Sequence, residues 1–125
     1  MANISVGDWV MVEWPDGERW RGRLTQLSVT GRVEVCCAND KYVRCASNFI
    51  TSIPITAEIL EKNGIHRTYE DDNYAIFRGD GLWAVKYSDG DWELSIPPVC
   101  RVNIKYVHQL QHALRLAGVD KEINL

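Results

Sequence analysis

The chain has 125 residues, 46% of them hydrophobic and 25% charged, and its 14 Lys and Arg against 17 Asp and Glu give a formal net charge of −3. This composition suffices for one core or for two small β-rich lobes, and the negative balance argues against a surface that as a whole attracts nucleic acid or anionic lipid. No apolar run approaches the roughly 20 residues that span a bilayer, and the four cysteines lack a C-x-x-C spacing, so we expect a cytoplasmic protein with reduced, mostly buried thiols.

The first half of the sequence is typical of short antiparallel strands. Alternation over residues 9–14 leads into the turn signal Pro15-Asp16-Gly17, which predicts a hairpin. The predicted strands are residues 9–14, 18–27, 32–37 and 41–45, with Ala38-Asn39-Asp40 as the turn before the last one. Several short strands in so short a segment predict a small barrel of the SH3-like or Tudor-like kind, with an open meander as the alternative.

A boundary follows at Ile53-Pro54, because proline restricts the residue before it to extended conformations. Thr56 is a suitable N-cap for a short helix over residues 57–63, which Gly64 ends. Further strands are predicted over residues 66–69, 73–78, 82–87, 92–96 and 100–104, with Pro97-Pro98 interrupting the last pair. The sequence therefore predicts an α+β protein of two lobes that form one compact unit. A small SH3-like antiparallel β-barrel lobe at residues 1–53 precedes a lobe at residues 54–125, where an antiparallel sheet joins a short helix and a C-terminal amphipathic helix.

The segment 104–125 has the one long helical pattern of the chain. At about 100° per residue, its apolar side chains fall within an arc roughly 120° wide. His108 and His112 are four residues apart, a spacing that lets two imidazoles share a metal, but Arg115 projects from the same side and no third ligand is evident. We therefore interpret the pair as part of a solvated or partner-facing polar stripe. Leu116 lies on that polar side and is either covered by residues 119–125 or exposed to a partner.

Two stretches of sequence carry a resemblance to a known family. The segment 53–64 (IPITAEILEKNG), together with residues 106–116 (YVHQLQHALRL) and Lys121-Glu122-Ile123, resembles a family of small uncharacterised proteins of gut-bacterial genomes and their prophages. The resemblance implies a cytoplasmic accessory protein of phage or mobile-element origin. It implies no reaction, ligand or catalytic residue.

A cationic row lies on one face of the predicted second strand. The row consists of Arg19, Arg21 and Arg23, and we group with it Lys41 of the predicted fourth strand. Such a row beside tryptophans suits a phosphate backbone with stacked bases, which would make the protein a nucleic-acid-binding regulator. The other interpretation is an exposed face on which the arginines pair with Glu13 and Glu34. Equal numbers of basic and acidic residues in the first lobe favour this second interpretation.

The remaining patterns favour a non-catalytic function. Trp9 and Met11 lie on the strand face opposite the predicted core, and we expect them, with Leu116, to contact an unknown protein partner or a second copy of the chain. The set Trp9, Trp14, Trp20 and Tyr42 could also form an aromatic cage for a cation, although core packing is the simpler interpretation. No phosphate-binding loop, nucleophile elbow or calcium loop is present in the sequence. We therefore expect a protein-interaction or accessory module with no cofactor and no enzymatic activity.

Overall fold

The computed structural model of the protein describes residues 4–37, 40–96 and 100–125, and Cys100 by its backbone alone. The chain divides into two compact units, Met1–Ile53 and Pro54–Leu125. Each unit contains a five-stranded antiparallel sheet, and two α-helices belong to the second unit, so the predicted α+β class is confirmed. Of the predicted turns, Ala38-Asn39 and Pro97-Pro98 lie outside the described residues.

The first unit is a meander whose fifth strand returns to pair with the first. Its strands are β1 (Trp9–Glu13), β2 (Arg19–Leu27), β3 (Arg32–Cys37), β4 (Lys41–Ala46) and β5 (Ile50–Ser52), in the sheet order β4-β3-β2-β1-β5. A 3₁₀ turn at Ser47–Phe49 leads into β5. Alternate residues of the strands are buried on one face and form a core of Val10, Val12, Leu24, Val33, Val35, Cys45 and Ile50. In the part of the unit that the structure describes, β4 and β5 remain the two edges of the sheet, so the ladders do not form a closed barrel.

In the second unit, one helix precedes the sheet along the chain and another follows it. Its elements are α1 (Ala57–Lys62), β6 (His66–Glu70), β7 (Tyr74–Gly79), β8 (Leu82–Tyr87), β9 (Trp92–Ile96), β10 (Cys100–Ile104) and α2 (Val107–Leu116), and the sheet order is β10-β9-β8-β7-β6. The predicted N-cap is confirmed, because the backbone N–H of Ile59 donates to the Thr56 hydroxyl at 3.3 Å. Most buried residues of this unit come from one face of its sheet and from both helices, and the connecting segments add Ile55, Ile65 and Ile123. Within the described ranges, neither helix combines the length and apolarity needed to cross a membrane.

Helix α2 is buried over a wider arc than its apolar pattern predicts. His108 is 1% exposed and Gln111 is 5% exposed, so the interpretation of this side as solvated is wrong for both residues. The Gln111 side chain donates to the carbonyl of Lys121 at 2.8 Å and accepts from the N–H of Ile123 at 2.8 Å. The chain after α2 thus lies along the polar side of the helix, where these amide hydrogen bonds replace the lost contacts with water.

Leu116 is not covered by this returning segment. Its side chain is 88% exposed, whereas Ile123 is fully buried. The sequence left two alternatives for Leu116, covered by residues 119–125 or exposed, and in the structure it is exposed. A single exposed leucine is common on protein surfaces and does not by itself mark an interface.

Candidate functional site

The arginine row of β2 is broken up by its neighbours. Arg19 forms an ion pair with Glu13 across the β1–β2 ladder at 3.1 Å. Arg21 is exposed, and its guanidinium makes no ion pair or hydrogen bond with any residue that the structure describes. The guanidinium of Arg23 lies 4.8 Å from the ring centroid of Trp9. The three arginines therefore have three different environments, and Arg19 is neutralised by Glu13.

Glu34 does not pair with the arginine row as predicted. It binds Arg44 of β4 instead, with 2.9 Å between Nε and the carboxylate, and it accepts a hydrogen bond from the Thr25 hydroxyl at 3.0 Å. The Arg44 hydrogen bond and the Thr25 hydroxyl together lower the pKa of the Glu34 carboxyl below its ordinary value. On the core side of the sheet, the ammonium of Lys41 lies 4.6 Å from the Trp20 ring centroid.

The four candidate cage aromatics are separated between the two faces of the first sheet. Trp14 and Trp20 pack edge to face, with 6.2 Å between ring centroids, and adjoin the buried core. Trp9 lies on the other face opposite Arg23, and two strands separate it from Tyr42, which is 60% exposed. The structure therefore packs two of these aromatics against the core and forms no four-sided cage. Met11, the other predicted contact residue, is half-buried opposite Arg21.

The histidines of α2 form a ring cluster. His108 stacks on Tyr106 with 5.7 Å between ring centroids, and His112 meets His108 edge to face at 5.8 Å. Among the described residues, no group of three or more His, Cys, Asp and Glu side chains is close enough to hold a metal ion.

The largest exposed cluster of aromatic side chains lies on the second sheet. We call it the aromatic face, and it comprises the outward-facing residues Tyr69, Tyr74, Ile76, Trp83, Val85 and Tyr87. Its four aromatic side chains are between 36% and 46% exposed. Phe77, Leu82 and Ala84, which alternate with these residues along β7 and β8, are buried. One face of this sheet thus supplies the core, while the other presents aromatic rings to solvent.

A two-residue turn between β7 and β8 places four of these side chains on one face. Asp80 and Gly81 both have positive φ, at 50° and 79°, which is the geometry of a two-residue type I′ hairpin turn. The turn sets Tyr74 opposite Tyr87 and Ile76 opposite Val85 across the β7–β8 ladder. Cross-strand partners point to the same side of a sheet, so the register brings all four side chains together.

A shallow basin of about 370 Å³ lies within the aromatic face. All residues of the aromatic face except Tyr69 line it, together with Glu93, Ser95 and Arg101. Arg101 binds Glu93 with 2.9 Å between Nε and the carboxylate, and the guanidinium of Arg78 beside the basin lies 3.9 Å from the Trp83 ring centroid. The basin is therefore aromatic and apolar at its centre, with its charges engaged at the margin.

One end of the aromatic face is fixed by Asp71. Its carboxylate accepts from the Tyr69 hydroxyl at 2.8 Å and from the backbone N–H groups of Asn73 and Tyr74 at 2.8 and 3.0 Å. These bonds, the one from Tyr69 foremost, lower the pKa of the Asp71 carboxyl, and the same hydrogen bond raises the pKa of the Tyr69 hydroxyl. The rings of Tyr69 and Tyr74 are 5.5 Å apart, so the loop bonds hold an aromatic pair at this end.

The aromatic face was not identified from the sequence, although a signal for it exists. In β8, Trp83, Val85 and Tyr87 alternate with Leu82, Ala84 and Lys86, so apolar residues occupy both phases of the strand. Such a pattern is typical of a strand buried on both sides or of one whose second side binds something. No protein-family model matches this chain, and no curated protein or solved structure gives a significant match.

Proposed function

We propose that the protein is a non-catalytic protein-interaction module and that the aromatic face is its binding surface. The observation that carries the proposal is the set of four exposed aromatic side chains on the sheet of the second unit. Tyrosine, tryptophan and arginine are the residues that contribute most to binding free energy at protein interfaces, and lysine and glutamate are depleted there. The aromatic face with Arg78 and Arg101 at its margin has this composition.

The first unit supports an accessory rather than an enzymatic role. We propose that it is an SH3-like barrel left open between β4 and β5, because its meander returns through a 3₁₀ turn to pair β5 with β1. Cys36, Cys37 and Cys45 are free thiols, which suits a reducing compartment such as the cytoplasm. With the resemblance to proteins of gut-bacterial genomes and prophages, these features support a cytoplasmic accessory protein of mobile-element origin.

Affinity capture with a matched pair of variants tests the proposed binding surface. The full chain is immobilised and exposed to a bacterial lysate as the wild type, as the double variant Trp83→Ser with Tyr87→Ser, and as Tyr42→Ser. Tyr42 is also an exposed aromatic residue but lies in the first unit. We expect the proteins retained by the wild type to be lost with the double variant and kept with Tyr42→Ser. Identical retention by all three would refute the proposal.

A second candidate function is nucleic-acid binding by the outer face of the first sheet. It is favoured by the stacking of Arg23 on Trp9 next to Arg21, whose charge no described residue neutralises. Fluorescence anisotropy with a labelled single-stranded oligonucleotide at low salt tests it. Binding should weaken in Arg21→Glu and persist in Arg44→Glu, because Arg44 is already paired with Glu34. Absence of binding at low salt would reject this candidate.

A further inference from the structure

We propose that the aromatic face binds a proline-rich segment in the polyproline II conformation. This inference rests on the proposed function, since it names the partner class of the same surface. The argument uses three properties of the basin, namely its unused hydrogen-bond donors, its lack of free charge and the spacing of its rings.

The basin has hydrogen-bond donors without partners. The indole N–H of Trp83 and the hydroxyls of Tyr87 and Ser95 make no hydrogen bond within the part of the chain that the structure describes. An indole N–H is a donor only, so its partner must supply an acceptor. Polyproline has a carbonyl at each residue and no backbone N–H, and it therefore offers the acceptors that these donors lack.

The charges at the margin of the basin are engaged with each other or with a ring. Glu93 is bound by Arg101, and Arg78 lies over Trp83. A strongly charged ligand would have to displace these contacts, whereas a neutral ligand leaves them in place. Proline rings are neutral and apolar, and grooves lined by Tyr and Trp receive them in several unrelated binding modules.

The spacing of the rings fits an extended segment of a few residues. Tyr87 and Trp83 are four residues apart on β8, about 14 Å at the rise of an antiparallel strand. A polyproline II helix rises about 3.1 Å per residue, so roughly five residues cover that distance. One proline would contact the Tyr74–Tyr87 pair and a second would contact Trp83, with Ile76 and Val85 beneath the residues between them.

Two other occupants of the aromatic face are less well matched. A second copy of the chain would meet a flat area of about 480 Å², estimated from five strands of three outward residues, against about 800 Å² per partner in a standard interface. A saccharide would also stack on the rings, but its hydroxyls both donate and accept and bind best to charged side chains that are free, whereas Glu93 and Arg101 are bound to each other. Both occupants are separate outcomes of the test.

The test is a titration of the ¹⁵N-labelled full chain with an acetylated and amidated nonaproline peptide, followed by NMR amide shifts. The control ligands are a Gly-Ser peptide of the same length and cellohexaose. The variants are Trp83→Ala with Tyr87→Ala and, as the matched control, Tyr42→Ala. The mutated side chains are partly exposed, so the variants should fold, and an unchanged thermal midpoint would verify this.

We expect nonaproline to shift amides of β7 and β8 and to bind at least tenfold more weakly to the double variant, with less than a twofold change in Tyr42→Ala. Absence of shifts at millimolar peptide, or equal binding by the double variant, would overturn the inference. Stronger shifts of the same amides with cellohexaose would assign the face to saccharide. A dimer seen by sedimentation and abolished by the double variant would assign it to a second copy. If nonaproline fails while the double variant still loses its lysate partners, only the proline inference falls and the proposed function stands.

Discussion

Asn63 and Asn124 exchange two hydrogen bonds although 61 residues separate them in sequence. The Asn63 side chain donates to the Asn124 carbonyl at 2.7 Å and accepts from the Asn124 N–H at 2.8 Å, and it also donates to the carbonyl of Ile59 at 2.7 Å. Asn63 is the C-cap of α1, and Gln111 of α2 binds Lys121 and Ile123 of the same returning segment. Two side-chain amides on separate helices thus recognise the backbone on both sides of the buried Ile123.

Replacing Asn63 should destabilise the second unit. Asn63→Ala removes three hydrogen bonds at a residue that is 7% exposed, and we expect a loss of about 2–4 kcal/mol in the free energy of unfolding. Urea unfolding measures this loss, with Asn103→Ala as the control because Asn103 is exposed. A change below about 0.5 kcal/mol in Asn63→Ala would contradict the role of the amide pair.

Alanine substitutions at two neighbouring glycines should separate steric overlap from backbone strain. A Cβ at Gly79 would overlap the carbonyl oxygen of Gly64, so Gly79→Ala should cost about 2–3 kcal/mol through overpacking. A Cβ at Gly81 meets no atom within 4 Å, and its positive φ alone should cost about 1–2 kcal/mol. Thermal unfolding of both variants measures which one is less stable. If Gly79→Ala is more stable than Gly81→Ala, the backbone at Gly64 can move to accommodate the added methyl group.

The pKa of Asp71 should rise when the Tyr69 hydroxyl is removed. Its pKa is lowered first by that hydroxyl, so Tyr69→Phe should move it towards the ordinary value of 3.8 while the two backbone bonds keep it below that value. A depressed carboxyl pKa favours folding above the unfolded-state pKa, and this contribution is lost as the pH falls through the folded-state pKa. In Tyr69→Phe the folded-state pKa lies closer to the unfolded-state pKa, so the free energy of unfolding should decline over a narrower range of acidic pH.

NMR titration of the Asp71 carboxyl carbon measures this shift. Tyr74→Phe is the matched control, because Tyr74 binds Asp71 through its backbone N–H, which this substitution keeps. Equal Asp71 pKa values in the wild type and in Tyr69→Phe would refute the assigned cause.

The thiols of the first unit should differ in their reaction with iodoacetamide. Cys45 is 3% exposed, and burial raises its pKa, so both access and the thiolate fraction are reduced. Cys36 lies on the outer face of β3 and is half-buried, and we expect it to be alkylated at least tenfold faster at pH 8. Peptide mapping by mass spectrometry in a Cys100→Ser background follows each site. Faster labelling of Cys45 than of Cys36 would indicate that β4 opens in the native protein.

Leu116 should tolerate a polar replacement. Its side chain is 88% exposed, so Leu116→Gln should change the free energy of unfolding by less than about 0.5 kcal/mol, whereas Leu110→Ala on the buried side should cost about 2–5 kcal/mol. Urea unfolding compares the two. Loss of lysate partners in Leu116→Gln, with stability unchanged, would restore the sequence-based expectation that this leucine contacts another protein.

Much of the fold follows from local signals in the sequence. The alternation around Val10 and Val12 predicts β1, and the Thr56 hydroxyl and Gly64 delimit α1. These elements were predictable because the determining contacts lie within a few residues. The open edges of the first sheet were not predictable, since whether β4 meets β5 depends on strand twist and coiling that the residue pattern does not encode.

The polar side of α2 shows why helical periodicity failed there. His108 and Gln111 are polar, and a helical wheel places them towards water. Gln111 is buried because a segment ten or more residues later in sequence returns and supplies its partners, Lys121 and Ile123, and His108 lies between the rings of Tyr106 and His112. A pattern within one helix contains no information on such a segment. The aromatic face was missed for a related reason, because its residues come from three strands and only the ladder register brings them together.

The Asp80-Gly81 turn determines more than the path of one hairpin. Because side chains alternate along a strand, adding or removing one residue at this turn would exchange Trp83 with Ala84 relative to β7, and the aromatic surface would become the interior. A substitution within either strand leaves this register unchanged. A change in the length of the turn shifts it, so we expect the turn to accept replacements that keep positive φ and to reject insertions.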